Sequence, residues 1–374
     1  MLGRVLSDTA AVRAPEYGHA NRWRVREISD WRAFLGQRRA WLALEGADRD
    51  GALLGHDWMA QCWKCCGELR RGERPLVLAM GEQAFVALRH NLKTRRICFL
   101  EERRSQRLDL LGDQRGWEAL GEYFRRRRDW DRLDLHFLRM ASVEYILTTW
   151  RKLGLHAFLR GRIAQRRIRL DRSWEDVEAE FSPYLKANFR RRWKRLRARG
   201  EVRLTVHNQV EELAPVLSEC FRLERSGWKA GTAIADDREL HRFYRQLAYR
   251  MAARGRLRLF CLRVAERIVA FEYCIASGRK LYALKIGYDE QLRTASPGAV
   301  LRWMLLQAAQ PEYDWYEFLG DDAPWKAEWT PATEALRHVR IYNRTLRGQF
   351  WRARDQVPPL VNGILSAWGS KRRF

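Results

Sequence analysis

The fold is decided by the stretch between residues 257 and 298. It contains LRLFCLRV (257–264), IVAFEYCI (268–275), KLYALKIG (280–287) and SPG (296–298). The three apolar runs have strand length, and the short loops between them predict consecutive hairpins. Proline at the second position of Ser296-Pro297-Gly298 is typical of a first helical turn. The stretch therefore predicts three antiparallel strands followed by a helix that runs to about Gln310.

Outward from this stretch, helical and strand-like patterns alternate along the chain. From residue 202 the predicted order is strand, helix, helix, three strands, helix, strand, short helix and a last strand at 335–342. The first half has helical patterns at 28–42, 57–71, 116–129 and 142–153, and strand-like runs at 75–80, 83–88, 96–100, 108–111 and 133–138. Such alternation indicates a mixed α/β fold class.

The join between the two halves contains two helix starts. Ser173 with Asp176 has the spacing of a capping box, and Ser182-Pro183 has the form of an N-cap followed by a first-turn proline. The second helix is predicted to end at Gly200.

Composition restricts the kind of protein and its partners. The chain has 374 residues, of which 46% are hydrophobic, so it can form a large core and is not disordered. Its net charge of +25 favours polyanionic partners, although a solvated basic surface is an equally simple interpretation. No run approaches the ~20 apolar residues of a membrane span, and residues 1–24 lack an apolar signal core. We therefore expect a cytoplasmic protein without a transmembrane segment.

The helix predicted from Pro183 onward has one strongly basic face. Its apolar residues recur every three or four positions, and the remaining positions are almost all Arg or Lys. This face is either solvated or binds phosphates of RNA, CoA or anionic lipid. The predicted polyanion-binding residues are Arg190, Arg191, Lys194 and Arg195.

The seven cysteines do not form a disulfide framework. Cys62, Cys65 and Cys66 lie close together, but a zinc site needs a second ligand pair, which the sequence does not supply. We predict buried thiols on a helix, a reducing compartment and no metal.

Several short motifs occur in the order found in one protein family. They are FRRRW (189–193), ERSGWK (224–229), IVAF (268–271), GYD (287–289), SPG (296–298) and FLGDDAPWKAEW (318–329). Together they resemble the CelD-type (cellulose-biosynthesis-associated) branch of the GNAT acyltransferases, which is related to Fem-type aminoacyltransferases. The resemblance covers about 186–342, and a weaker one covers 58–111, where that family carries a degenerate first copy of the fold.

The resemblance implies tandem GNAT-like domains with a mixed sheet flanked by helices. The expected divisions are an N-terminal arm (1–21), a degenerate GNAT-like domain (22–165), a catalytic GNAT-like domain (166–345) and a basic tail (346–374).

A donor site is expected where the helix begins at Pro297. Free N–H groups and the positive end of the helix dipole favour a pyrophosphate there, and the resemblance implies that this phosphate belongs to acyl-CoA. A plain strand-to-helix turn explains the same residues, and the usual Arg/Gln-x-x-Gly-x-Gly/Ala loop is replaced by Arg293-Thr-Ala-Ser-Pro-Gly298. The predicted cofactor-binding residues are Lys285, Ser296, Pro297, Gly298 and Ala299.

The acceptor side is expected around the loop from Gly320 to Trp329. Asp322 could bind or deprotonate an amine and Lys326 could hold an anionic or carbonyl group, whereas a purely structural Asp–Lys pair is the alternative. The predicted catalytic residues are Glu272, Tyr273, Tyr288, Asp322 and Lys326. The predicted substrate-binding residues are Trp228, Lys229, Trp325 and Trp329, of which Trp228 and Lys229 could equally have a capping or core role.

The expected activity is transfer of an acyl group from acyl-CoA to an amine or sugar by direct attack in a ternary complex. One alternative is a Fem-type transferase that uses aminoacyl-tRNA as donor. Another is a non-catalytic module that binds polyanions. Expected partners are a small-molecule or saccharide acceptor, tRNA in the first alternative, and an anionic membrane surface through peripheral contact.

Overall fold

A computed structural model describes residues 23–65, 72–101, 106–225 and 233–356. The predicted arm (1–21), the tail beyond residue 356 and the residues Cys66, Trp228 and Lys229 lie outside the described residues.

The strands belong to one mixed sheet. They are β1 (Val25–Ile28), β2 (Glu73–Met80), β3 (Ala84–Asn91), β4 (Arg96–Phe99), β5 (Leu111–Gly112), β6 (Arg132–Leu138), β7 (His156–Arg169), β8 (Val202–His207), β9 (Leu257–Val264), β10 (Arg267–Ser277), β11 (Lys280–Tyr288), β12 (Trp315–Glu317) and β13 (Thr333–Tyr342).

The α-helices flank this sheet. They are α1 (Trp31–Gly36), α2 (Arg38–Glu45), α3 (Gly51–Leu54), α4 (His56–Cys65), α5 (Gly116–Arg126), α6 (Met140–Lys152), α7 (Trp174–Ala179), α8 (Pro183–Arg197), α9 (Leu213–Arg225), α10 (Arg238–Ala252), α11 (Pro297–Ala309), α12 (Pro324–Ala327) and α13 (Leu346–Gln356). Within the described ranges, no helix combines the length and the apolarity that crossing a bilayer requires.

The two edges of the sheet repeat one pattern. Its order is β1-β2-β3-β4-β6-β13-β7-β12-β11-β10-β9-β8, with β5 beside β3. Strands β1 to β4 are antiparallel neighbours, and β4 is followed by the parallel strand β6. Strands β8 to β11 are likewise antiparallel, and β11 is followed by the parallel strand β12. The chain thus contains two copies of the same strand arrangement.

The two halves exchange one strand each at the centre of the sheet. Strand β7 follows the elements of the first half but pairs with β12 of the second half. Strand β13 follows the elements of the second half but pairs with β6 of the first. The exchanged strands also pair with each other over the whole length of β13. The predicted domain boundary at 165/166 falls inside β7, and the division into domains stays a prediction.

The cores of the two halves also merge. One cluster of buried side chains combines Trp41, Trp58 and Phe85 from the first half with Phe243 and Leu247 from the second. A second cluster lies beneath α8 and α11, and a third beneath α5 and α6. Because apolar burial is the main stabilising term in folding, the shared cluster couples the stability of the halves.

Most predicted elements are present, and the differences have clear causes. Ser173 and Ser182 cap α7 and α8 as predicted: each hydroxyl oxygen accepts a backbone N–H three residues later, at 3.1 Å. The continuous helix predicted at 28–42 is wrong, because this stretch contains the end of β1 and the separate helices α1 and α2. Strand β7 was not predicted, because Arg interrupts its apolar pattern. Cys62 is a buried thiol on α4, as expected, and four further cysteines are buried thiols: Cys98, Cys220, Cys261 and Cys274.

Candidate functional site

The sheet of the second half is open between β11 and β12. These strands pair only from Lys280 to Tyr282. Leu319 (φ +50°) and Gly320 (φ +66°) lie just beyond β12, after Phe318, and two successive left-handed residues turn the chain away from β11. Residues 284–286 of β11 consequently pair with none of the described strands on this side and are only half-buried. The result is a slot between the two strands.

A cavity of about 500 Å³ lies where α11 begins beside this slot. Ser296, Gly298 and Ala299 line it from the first turn of α11, and Gly287 and Tyr288 line it from β11. Ser296 adopts a left-handed conformation, and its side chain does not cap the helix. Pro297 has no N–H, and the N–H groups of Ala299 and Val300 donate to the Ser296 carbonyl oxygen at 3.0 and 3.2 Å. This turn therefore offers an anion the N–H of Gly298 and the positive end of the helix dipole.

Two arginines stand at the rim of this first cavity. Arg192 reaches it from α8 and Arg293 from the turn before α11. Glu328 lines the cavity as well, and its backbone carbonyl accepts the N–H of Ser182 at 2.7 Å. In addition to the helix N-terminus, two guanidinium groups thus favour an anion here.

A buried charged network forms the inner wall. The carboxylate of Glu272 on β10 pairs with Arg302 of α11 at 2.5 Å and accepts a hydrogen bond from the Tyr316 hydroxyl, also at 2.5 Å. All three side chains are buried. Burial acts to lower the pKa of Arg302, but the charge of Glu272 and the contact with Tyr316 more than compensate and raise it. Arg302 is therefore a permanent cation.

A second cavity of about 350 Å³ adjoins the first through the slot. The two share Ile286, Arg302 and Trp325 as lining residues. The second cavity is further lined by residues of α10, β11, α12 and the loop between β12 and α12, among them Tyr244, Lys285 and Lys326. Two molecules that enter from opposite sides would meet at the shared wall.

Lys326 is the most perturbed cation of this region. Its side chain is buried, and Nζ donates to the carbonyl oxygens of Leu319 at 2.6 Å and Asp321 at 2.5 Å. The pKa of Lys326 is lowered to about 8: burial is the largest cause and the charge of Arg302 adds to it, while the charges of Asp321 and Asp322 oppose the shift. The side chain is therefore mostly an ammonium group at neutral pH and loses its proton near pH 8.

The structure places the predicted catalytic residues in different locations. Glu272 and Tyr288 line the first cavity, and Lys326 lines the second. Asp322 lies apart, because Arg166 holds its carboxylate with hydrogen bonds of 2.7 and 3.2 Å and thereby lowers its pKa. Tyr273 points to the opposite face of the sheet, where its hydroxyl donates to the Tyr244 carbonyl, and burial raises its pKa well above the usual value.

The predicted donor residues gather around α11, with one exception. Ser296, Gly298 and Ala299 line the first cavity, and Pro297 is buried as the first residue of the helix. Lys285 lies on the other side of the slot, in the second cavity, with Nζ 5.1 Å from the centre of the Tyr244 ring.

The remaining predicted residues have mixed positions. Trp325 lies in the wall between the cavities, and Trp329 lines the first cavity while packing edge-on against Phe181. The predicted polyanion-binding residues are exposed on α8, and Arg195 donates to the Thr294 carbonyl at 2.7 Å. These residues are Arg190, Arg191, Lys194 and Arg195.

Sequence reasoning missed Arg302 and Tyr316. Arg302 is the only charged residue between Arg293 and Glu312, inside an otherwise apolar helix. A single charge in such a helix needs a buried partner, which was an available signal. Tyr316 carried no comparable signal, because its partners lie 14 and 44 residues away in the chain.

One cluster outside the slot has the residue types of a metal site. Asp134, His136 and His338 place their ligand atoms within 4.8 Å of one another. However, Asp134 already pairs with Arg96, Arg132 and Arg340, at 2.6, 3.1 and 2.5 Å. These three guanidinium groups compensate the carboxylate and oppose a further cation. The cluster therefore does not fit a metal ion.

Comparison with known proteins gives a domain family and a fold. Residues 185–327 match the sequence profile of the acetyltransferase (GNAT) domain. No curated protein matches the chain significantly.

Three solved structures are similar over most of their length. FemX aligns with a TM-score of 0.57 at 12% identity, over 88% of this chain and 100% of FemX. The C-terminal domain of a protein assigned as a lysylphosphatidylglycerol synthetase, from Agrobacterium fabrum, aligns with 0.54 at 13%, over 85% and 95%. L-PGS from Bacillus licheniformis aligns with 0.52 at 13%, over 83% and 93%. At these identities the similarity concerns the fold, and it confirms the predicted mixed α/β, GNAT-like class.

Proposed function

We propose that this chain, which carries an acetyltransferase (GNAT) domain over residues 185–327, transfers an acyl group from acyl-CoA to an amine or sugar acceptor. Within the GNAT acyltransferases we place it in the CelD-type branch, on the motifs at 189–193 and 318–329. The reaction would take place in the cytoplasm.

The first cavity is the observation that carries the proposal. It joins the N-terminus of α11, the rim residues Arg192 and Arg293, and the open edge of β11. Phosphates of the donor would bind at the helix N-terminus and the two arginines, because the helix dipole, the N–H of Gly298 and the two guanidinium groups all favour negative charge. The thioester would then extend along the slot towards the wall formed by Ile286, Arg302 and Trp325.

The proposed chemistry is direct attack. The neutral amine of the acceptor attacks the thioester carbonyl, the C–N bond forms and the C–S bond breaks, and CoA leaves as the thiolate. Glu272 would accept the proton of the amine, because its ion pair with Arg302 and its one hydrogen bond from Tyr316 leave further lone pairs on the carboxylate. Tyr288 would protonate the thiolate: burial and the neighbouring Glu290 raise its pKa, so that it keeps its proton at neutral pH.

Gly298 offers a direct test of the donor site. A Cβ at this position would lie 3.5 Å from Tyr288 Cδ1, an ordinary contact, so Gly298→Ala serves as the control. Gly298→Glu adds a negative charge that is favourable for the helix but repels phosphate. We expect Gly298→Ala to bind acetyl-CoA as the parent does and Gly298→Glu to bind at least about tenfold more weakly in titration calorimetry. Equal binding by both variants would remove the donor site.

A second candidate donor is aminoacyl-tRNA, as in Fem-type enzymes. The exposed basic face of α8 favours it, and the structural neighbours include FemX and L-PGS. Binding of the two donors is expected to depend on different residues. Acyl-CoA binding depends on Arg192 and Arg293 at the cavity rim. tRNA binding depends on the exposed face, and its affinity falls steeply with salt.

Charge-removing variants separate these donors. One variant replaces Arg192 and Arg293 by Gln, and the other replaces Arg190, Arg191, Lys194 and Arg195 by Gln. We expect the first to lose acetyl-CoA binding and the second to retain it. If only the second variant affects function, and tRNA binding then loses its salt dependence, the aminoacyl-tRNA donor is supported. Binding of tRNA or anionic vesicles without consumption of either donor would identify a non-catalytic module.

A further inference from the structure

The charged side chains among the described residues that line the second cavity are of one sign. Among its described lining residues are the cations Lys285, Arg302 and Lys326, and none is Asp or Glu. Arg302 is compensated by Glu272, whose carboxylate opens into the first cavity. Lys326 therefore brings a positive charge to the cavity that faces away from the donor site. A site for a plain cationic amine would have the opposite sign.

Lys326 is unusual among buried lysines in the groups that its ammonium contacts. Only 6% of the residue is exposed, and a lysine buried to this degree normally has a carboxylate partner. Its Nζ instead donates to two neutral carbonyl oxygens, of Leu319 and Asp321, and no described carboxylate lies within 4 Å of it. An ammonium group has three donors, so one N–H remains for a ligand in the cavity.

The backbone that holds Lys326 is shaped for this position. The left-handed residues Leu319 and Gly320 turn the loop so that its carbonyl groups meet Nζ. A Cβ on Gly320 would lie 3.2 Å from Nζ, so the loop approaches the ammonium group closely. The position of this cation is thus fixed before any ligand binds, which favours recognition of a matching charge.

We infer that the acceptor that fills the second cavity carries an anionic group, a carboxylate or a phosphate, which Lys326 binds while the nucleophile reaches the shared wall. This inference rests on the proposed function for the position of the donor, but the charge of the acceptor is a property of the second cavity alone. The lowered pKa of Lys326 agrees with it, because an ammonium group with neutral acceptors only is destabilised by burial.

Paired amines test the inference without acyl transfer. β-Alanine and β-alaninamide differ only in the carboxylate, and O-phosphoethanolamine and ethanolamine differ only in the phosphate. Their binding is measured by ligand-observed NMR with the full chain. We expect the anionic member of at least one pair to bind about tenfold or more tightly than its neutral partner, as a charge-assisted hydrogen bond implies. The pair that shows the preference identifies carboxylate or phosphate.

Variants of Lys326 test whether this residue causes the preference for the anionic amine. Lys326→Gln is expected to abolish it, and Lys326→Arg, which keeps the charge, to retain it. Lys93→Gln removes the same charge from an exposed turn and serves as the matched control. Equal binding of both members of both pairs by the parent, or an unchanged preference in Lys326→Gln, would overturn the inference.

Donor binding is measured on the same samples. If acetyl-CoA binds but neither anionic amine is preferred, the inference fails and the proposed function stands. If an anionic amine is preferred but acetyl-CoA does not bind, the proposed donor fails and the charge selectivity of the second cavity stands.

Discussion

The buried pair of Glu272 and Arg302 gives a quantitative prediction about stability. The side chains are only 1% and 6% exposed, and their charged atoms lie 2.5 Å apart. Replacing one partner by Met leaves the other charge buried without compensation, which typically costs about 3–5 kcal/mol. Replacing both by Met leaves an apolar contact of similar volume, which is often close to neutral. We therefore expect Glu272→Met and Arg302→Met each to cost about 3–5 kcal/mol, and the double variant to cost less than either.

The two single variants should also differ in their pH dependence. The carboxyl group left by Arg302→Met can take up a proton, so the cost of this variant shrinks as the pH falls. The guanidinium left by Glu272→Met cannot lose its proton, so its cost stays. Equilibrium unfolding by urea at several pH values measures both effects.

An exposed pair provides the control for this cycle. Arg203 and Glu266 are 2.9 Å apart, but their side chains are 50% and 75% exposed. The same substitutions there should couple by no more than about 1 kcal/mol. If the double variant of the buried pair costs the sum of its single variants, the two charges do not stabilise each other and the reasoning is refuted.

Three further outcomes are expected. Since the ammonium form of Lys326 binds the acceptor and its pKa is about 8, KM for an anionic acceptor should rise above pH 8. Lys326→Arg should abolish this rise in KM, and a KM that is independent of pH in the parent would contradict the role of Lys326 in acceptor binding. Burial lowers the pKa of His90 to about 4, so the folded state binds fewer protons than the unfolded state between pH 6.5 and 4. The free energy of unfolding should therefore fall with decreasing pH, by about 2 kcal/mol from pH 7 to 5 for this group. Urea titrations of His90→Gln should lack this part of the pH dependence. Gly121→Ala would place its Cβ 2.8 Å from Trp150 and should destabilise the protein by about 1–3 kcal/mol. In the control Gly36→Ala the new Cβ meets no atom within 4 Å, so this variant should be neutral or slightly stabilising. Equal changes in Tm for the two variants would show that packing around α5 is not the cause.

The second half of the fold could be predicted because its elements follow local rules. Strands β9 to β11 are apolar runs with short connections, and Ser182 and Ser296 mark helix starts. Strand β7 could not be predicted, since its sequence HAFLRGRIAQRRIR has an incomplete apolar pattern and its stability comes from pairing with β12 and β13 on either side. Tertiary pairing thus overrides a weak local preference.

The site could be predicted only in part for the same reason. The start of α11 is a local feature, and it indeed lines the first cavity. The wall between the cavities depends on contacts among Glu272, Arg302 and Tyr316, which come from three separate elements. Because Asp322 and Lys326 lie close together in the sequence, an ion pair or a shared role was predicted for them. In the structure the Asp322 carboxylate instead accepts a hydrogen bond from Arg166.

The exchange of β7 and β13 has a consequence for synthesis on the ribosome. Translation produces β6 some 200 residues before β13, the strand that covers its free edge. Throughout that interval the nascent first half exposes backbone donors and acceptors that can pair with other chains. Completion of the sheet therefore waits for residues 333–342 to emerge, and a nascent chain stalled before them would be prone to aggregate.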